Sequence, residues 1–187
     1  MNEFSYLSVL LSIILGLAIT QVLKGFGGIL LFRARVRMYW PPIAWAWILL
    51  IVDVQTWWAM FGLRNVHAWT FLAFSLVLLH TVLIYMLAAL VLPDFSGDRT
   101  VDLRAHYDAN YRWSFGLVLL VTVMNLCREF VVEEHVPDRT NVLFHAIFMA
   151  ASIGAMVTRR EWYHRLVPIF TVFVFGTYIA VRFARLH

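Results

Sequence analysis

Four polar residues lie deep inside long apolar runs of the sequence, where such side chains are costly and tend to be paired or functional. They are Lys24, Asp53, His80 and Asn125. At a rise of about 1.5 Å per residue, Asp53 and His80 lie roughly 16 to 20 Å from either end of their runs. Lys24 lies roughly 13 Å before Arg33, and Asn125 lies roughly 20 Å beyond Arg112. An acid and two nitrogen bases at one depth predict a proton or cation pathway. In this pathway Asp53 titrates, His80 relays protons and Lys24 supplies the counter-charge.

The same residues also have a structural interpretation. Asp53 would then form a buried pair, or a hydrogen bond to a tryptophan indole, that fixes how the helices pack. His80, whose neighbours one helical turn away are all aliphatic, would be a core histidine. Lys24 would extend its amine towards the lipid headgroups. The sequence therefore favours a proton or cation pathway or a proton-coupled transporter, with a non-catalytic accessory subunit as the alternative and a membrane redox protein as a third hypothesis.

Small residues form two stripes at helical spacing. In the first apolar run they recur every fourth position and predict close helix packing or a narrow wet path. The members of this first stripe are Ser8, Ser12, Gly16, Thr20, Lys24 and Gly28. In the fifth run, Ala146, Ala150 and Gly154 predict tight packing, either within one chain or between copies.

Metal, redox and enzymatic chemistry have less support. Asp98, Asp102 and His106 share a helical spacing that a divalent metal would accept, but the arginines around them favour an ordinary interfacial helix. A haem held by His80 and His145 is disfavoured because their expected depths differ, about 20 against 9 Å. Motifs of common hydrolases and nucleotide-binding enzymes are missing from the sequence. We therefore predict no metal and no cofactor, and we favour a function that is not enzymatic.

The elements that position these residues are predicted to be membrane helices. Of 187 residues, 62% are apolar and 14% charged, whereas soluble domains are about half apolar and a quarter charged. Backbone groups in hydrocarbon must bond within their own segment, which favours helices. We predict an all-α, polytopic transmembrane bundle that forms one domain, residues 1–187, has the lipid bilayer as partner and binds no nucleic acid. Its six spans are expected at 4–31, 43–63, 67–92, 113–132, 140–157 and 162–182.

The distribution of arginine predicts an orientation for these spans. With the N-terminus outside, nine arginines lie in cytoplasmic segments and five outside, as the positive-inside rule requires. Because so small a protomer encloses little space, we also expect a homo-oligomer. Residues 18–26 can be aligned with 122–130, pairing Gln21 with Asn125. This weak match indicates either a 3+3 inverted repeat or chance similarity between two apolar helices.

Several segments resemble those of an uncharacterised family of small polytopic bacterial inner-membrane proteins. They are Gly16–Phe26, Arg35–Trp47, Asp53–Arg64, Tyr111–Leu117 and Val157–His164. The resemblance covers most of the chain and implies a bacterial inner-membrane location, but it implies no activity, cofactor or site residue.

Overall fold

The computed structural model describes residues 3–66, 69–95, 100–132 and 139–182. Within these ranges, six helices are long and apolar enough to cross a membrane, which confirms the all-α bundle of six spans. The helices are α1 (Glu3–Leu31), α2 (Trp40–Met60), α3 (Phe71–Val91), α4 (Leu103–Val132), α5 (Arg139–Val157) and α6 (Glu161–Arg182). Short 3-10 helices lie at Arg33–Arg35 and Phe61–Asn65, and two-residue strands form at Val36–Arg37 (β1) and Val101–Asp102 (β2).

The ends of α1, α3 and α5 and the starts of α2, α4 and α6 lie at one end of the bundle. There β1 and β2 pair in parallel, with Val36 opposite Val101, and join the α1–α2 connection to the start of α4. Arg104 of α4 bonds to Glu161 of α6 at 2.8 Å. We refer to this as the arginine-rich end. Its arginines are Arg33, Arg35, Arg37, Arg104, Arg112, Arg159, Arg160 and Arg165.

Helix α4 begins at Leu103, well before the predicted start of its span at residue 113. The helix starts there because Asp102 caps it, accepting hydrogen bonds from the backbone N–H groups of Arg104 at 2.9 Å and Ala105 at 3.0 Å. The Ala105 N–H stabilises the carboxylate and holds the pKa of Asp102 below its ordinary value. The first turns of α4 therefore extend from the arginine-rich end ahead of the apolar part of the helix.

Glycines in α1 allow close contact with the segment that follows α3. A Cβ atom at Gly28 would overlap the ring of Phe95, and one at Gly25 would lie 2.6 Å from Leu92. Gly28 therefore occupies a tightly packed position against the segment that follows α3. In α5, a Cβ atom at Gly154 would overlap the hydroxyl of Tyr163, so this glycine packs within the protomer.

The remaining members of the two stripes lie on the outside of the bundle. Ser12, Gly16 and Thr20 are exposed on α1, whereas the leucines Leu7, Leu11 and Leu15 form its buried face. Ala146 and Ala150 are likewise exposed on α5. Contact between copies through these two outer faces stays a prediction, as does the inverted repeat.

Candidate functional site

Lys24 is separated from the other three polar residues. Its Nζ lies 3.1 Å from Oδ1 of Asp94, in the segment after α3, and both side chains are 63% exposed. This differs from the expected role of Lys24 as a buried counter-charge for Asp53. The reason is that an exposed ion pair avoids the free-energy cost of moving an ammonium group into a dry interior.

Asp53 is buried and has no hydrogen-bond partner among the residues that the structure describes. It lies in α2 with 0% of its surface exposed, and neither carboxylate oxygen bonds to another described residue. The indole nitrogens of Trp45 and Trp69 also have no partner among the described residues, so neither forms the indole bond considered from the sequence. His80 does not bond to Asp53 either. The two side chains are therefore not hydrogen-bonded in a way that would let a proton pass directly from one to the other.

A cavity of about 180 Å³ lies between α2, α3, α4, α5 and α6. His80 and Asn125 are among its lining residues, whereas Asp53 and Lys24 are not, although Val52 and Thr56 of the same helix as Asp53 do line it. The structure thus brings two of the four polar residues to one cavity and leaves the other two outside it.

One face of α4 supplies most of the polar lining. Its polar members are separated by three, four or eight positions and so share a helix face: His106, Asn110, Ser114, Thr122, Asn125 and Arg128. From His106 to Arg128 this face is about 33 Å long, close to the roughly 30 Å thickness of a hydrocarbon core. Of this set, only Asn125 is predicted from the sequence to belong to the pathway. The repeated spacing was the signal that could have revealed the others.

Hydrogen bonds fix the ring of His145 in this cavity. Its Nδ1 lies 2.8 Å from the backbone oxygen of Asn141, and its Nε2 lies 2.9 Å from the side-chain nitrogen of Asn125. Because a carbonyl only accepts, Nδ1 carries the hydrogen and Nε2 of the neutral ring accepts from Asn125. The side chain of Asn141 in turn donates to the buried carboxylate of Glu129. These bonds join α4 to α5 through a continuous polar network.

His106 and His80 differ in how their nitrogens are engaged. His106 donates from Nε2 to the Leu90 carbonyl at 3.0 Å and accepts at Nδ1 from Asn110 at 3.3 Å. His80 is 7% exposed, and its Nδ1 has no hydrogen-bond partner among the described residues. His80 is also close enough to Arg128 and His145 to interact with both electrostatically. His80 is thus a cavity histidine whose Nδ1 forms no hydrogen bond within the part of the chain that the structure describes.

A second histidine contact joins α4 to α6 near the arginine-rich end. The hydroxyl of Tyr107 donates to Nδ1 of His164 at 3.0 Å, because Nε2 of His164 donates to the Thr158 carbonyl at 3.0 Å. The ring of Tyr111 packs edge-on against His164, with 4.8 Å between centroids. The members of this pair are 57 residues apart, and no pattern in the sequence predicted their contact.

The structure also bears on the metal and haem hypotheses. Among the described residues, no three His, Cys, Asp or Glu side chains are grouped closely enough to hold a metal ion. Asp98 lies outside the described residues, Asp102 caps α4 and His106 faces the cavity. His80 and His145 lie closer than their expected depths suggested, since they interact with each other electrostatically. Both ring nitrogens of His145 are already hydrogen-bonded, so as placed it offers none to an iron.

Comparison of the chain with protein-family models, with curated proteins and with solved structures finds no match. The function is therefore argued from the cavity itself.

Proposed function

We propose that this multi-pass membrane protein is a proton-coupled transporter or channel whose pathway is the cavity beside α4. The observation that supports this most strongly is the polar face of α4, which lines the cavity from His106 to Arg128. Polar side chains in a membrane interior are costly and commonly mark a solute or proton path. A face about as long as a bilayer core is thick suits passage across the membrane better than a local packing contact.

The size of the cavity limits what it can hold. A cavity of roughly 150 Å³ admits benzene, whereas pockets for drug-sized ligands measure about 300 to 1,000 Å³. A volume of about 180 Å³ therefore fits several waters or a small polar solute. Protons can use such waters together with the imidazoles that border them.

His80 is the proposed proton carrier in this pathway. Its Nδ1 is not engaged by another described residue, whereas His106 and His145 use both ring nitrogens in hydrogen bonds. Two charged or titratable groups, Arg128 and His145, interact electrostatically with His80. Asp53, which the sequence suggested as the titrating group, becomes a buried packing position in this proposal because it does not line the cavity.

The proposed location is the bacterial inner membrane, with the arginine-rich end in the cytoplasm and the N-terminus outside. The positive-inside rule supports the orientation, and the resemblance noted from the sequence supports the membrane. A homo-oligomer would use the exposed small-residue faces of α1 and α5. Crosslinking of the protein in native membranes would test this assembly.

Proton flux into proteoliposomes tests the proposal. The vesicles contain a pH-sensitive dye and potassium nitrate on both sides, and potassium with valinomycin holds the membrane potential at zero. After an external acid step, wild-type protein should acidify the lumen faster than protein-free vesicles do. His80→Asn should bring the rate to that of protein-free vesicles, whereas Asp53→Asn, at an equally buried position outside the cavity, should keep the wild-type rate.

The accessory-subunit hypothesis predicts a different result. The fully bonded ring of His145, which joins α4 to α5, favours it as a second candidate because such networks also serve to fix helix packing. In that case wild-type vesicles would keep their pH gradient, and His80→Asn would change only thermal stability. A wild-type rate no higher than that of empty vesicles would refute transport.

A further inference from the structure

Apart from the polar face of α4, most of the cavity wall is apolar. Helices α2 and α3 contribute aliphatic side chains, among them Ile48, Leu49, Ile84 and Leu87. Helices α5 and α6 contribute aromatic rings, which are Phe144, Phe148, Phe175 and Tyr178. Sites for small molecules commonly have this character, an apolar lining with a few polar groups that orient the ligand.

The aromatic rings of α5 and α6 contact one another as well as the cavity. Phe148 lies edge-on to Phe175, with 6.2 Å between ring centroids. Tyr178 lies edge-on to Phe144 at 5.3 Å and stacks with Phe175 at 6.2 Å. Aromatic pairs prefer separations of about 4.5 to 7 Å, so one more ring in the cavity can join this cluster at the same spacing.

The cavity offers an ion little compensation for the loss of its hydration. Among the described residues, Arg128 is the only lining residue with a permanent charge, and it is already engaged in interactions with other groups of the protein. His106 and His145 use both ring nitrogens in hydrogen bonds, in the pattern of neutral imidazoles. Moving an ion from water into an apolar site without a free partner is costly. The cavity therefore favours an uncharged guest.

Asn125 supplies a neutral hydrogen-bonding group on the polar wall. Its amide nitrogen donates one hydrogen to Nε2 of His145 at 2.9 Å. A side-chain amide has two hydrogens and an acceptor oxygen, so Asn125 keeps one donor and one acceptor for a guest. A hydroxyl group, which both donates and accepts, matches this pair.

We propose that the cavity is a binding site for one small uncharged molecule, which has a single ring and a hydroxyl or amine that bonds to Asn125, and that this guest displaces the water of the proton pathway and stops proton flux. The volume of about 180 Å³ slightly exceeds the roughly 150 Å³ that admits benzene, and it therefore suits one ring with one substituent. The binding site depends on the cavity alone, whereas the effect on flux rests on the proposed function.

Calorimetric unfolding in detergent micelles measures binding, with phenol as the probe. A ligand that binds only the folded state, at about ten times its dissociation constant, should raise the unfolding temperature by about 3 to 6 °C. Benzoate, which has the same ring but carries a negative charge at neutral pH, should not raise it. Toluene, which lacks the hydroxyl, should bind more weakly than phenol because it cannot bond to Asn125.

Variants on α4 distinguish binding in the cavity from partition of phenol into the micelle. Val118 lines the cavity, whereas Val123, on the same helix, is 39% exposed and is not a lining residue. Val118→Phe should fill the space and abolish the phenol shift, and Val123→Phe should keep it. If Val118→Phe does not fold, Ala59→Leu fills the cavity from α2 and should have the same effect.

Proton flux after an acid step measures the effect of the guest on the pathway. Phenol should slow wild-type vesicles towards the rate of protein-free vesicles that also contain phenol. Val123→Phe should respond as wild type does. Val118→Phe should be slow with or without phenol, because its side chain takes the place of the guest.

The outcomes distinguish this inference from the proposed function. Equal phenol shifts in wild type and a cavity-filling variant, or an equal shift with benzoate, would overturn the binding site. Phenol that binds in micelles but leaves wild-type flux unchanged would overturn the effect on flux. The absence of wild-type flux without phenol would refute the transport function and leave the binding site to the calorimetric result.

Discussion

Replacement of Tyr107 by phenylalanine should lower the free energy of unfolding by about 1 to 3 kcal/mol. The substitution removes the hydroxyl that donates to Nδ1 of His164 at 3.0 Å and leaves that nitrogen unpaired. Both residues are buried, at 7% and 5% exposure, and Tyr107 also lines the cavity, so a water that enters from the cavity would move the loss towards the lower figure. The ring remains and keeps its contacts with Tyr39 and Tyr111, at centroid distances of 5.8 and 6.4 Å. The expected loss therefore comes from the hydrogen bond and not from packing.

Unfolding by SDS titration in detergent micelles, followed by tryptophan fluorescence, measures this loss. Tyr6→Phe is the control, because Tyr6 is 70% exposed on α1 and its hydroxyl faces the surroundings. That variant should unfold within about 0.5 kcal/mol of wild type. If Tyr107→Phe also stays within about 0.5 kcal/mol of wild type, the hydrogen bond between α4 and α6 does not stabilise the fold as argued here.

Three further predictions concern other parts of the bundle. Gly28→Ala should destabilise the protein by about 1 to 3 kcal/mol, because the new methyl group meets the ring of Phe95. Gly27→Ala, where nothing lies within 4 Å of the added carbon, should cost far less in the same SDS titration. Asp102→Ala should remove a stabilising contribution that depends on pH. Since backbone hydrogen bonds from the first turn of α4 lower the pKa of Asp102, that contribution is present above about pH 4 and disappears as the pH falls through the lowered value, so unfolding curves of the two proteins should converge in acid. Asp53→Asn should not lower thermal stability, because the carboxylate it replaces has no partner among the described residues; a marked loss would show that Asp53 makes a contact that stabilises the fold.

The positions of the helices were largely predictable because hydrocarbon forces each span to satisfy its own backbone. Hydropathy located six helices, yet it set the fourth span at residue 113 although α4 begins at Leu103. The discrepancy arises because a hydropathy profile does not distinguish the polar first turns of α4 from a loop. The capping bonds to Asp102, which hydropathy does not register, start the helix earlier.

The contacts of the polar residues were less predictable because depth along a helix does not specify rotation about its axis. Lys24 and Asp53 share an expected depth, yet Lys24 turns to Asp94 and Asp53 turns into packed protein. The contact between Tyr107 and His164 depends on which helices are neighbours, and no local pattern contains that information. The polar face of α4 could have been predicted, since its spacing is visible in the sequence. The apolar residues Val118 and Val121, which lie between Ser114 and Thr122, interrupt the pattern and make it harder to recognise.

The short parallel ladder between β1 and β2 has a mechanical consequence. Together with the bond from Arg104 to Glu161, it fastens the entrance of α2 and the starts of α4 and α6 to one another. Helices that are held together by contacts at one end can separate more easily at the other end. We therefore expect any separation of these helices to be larger at the end remote from the ladder than at the arginine-rich end.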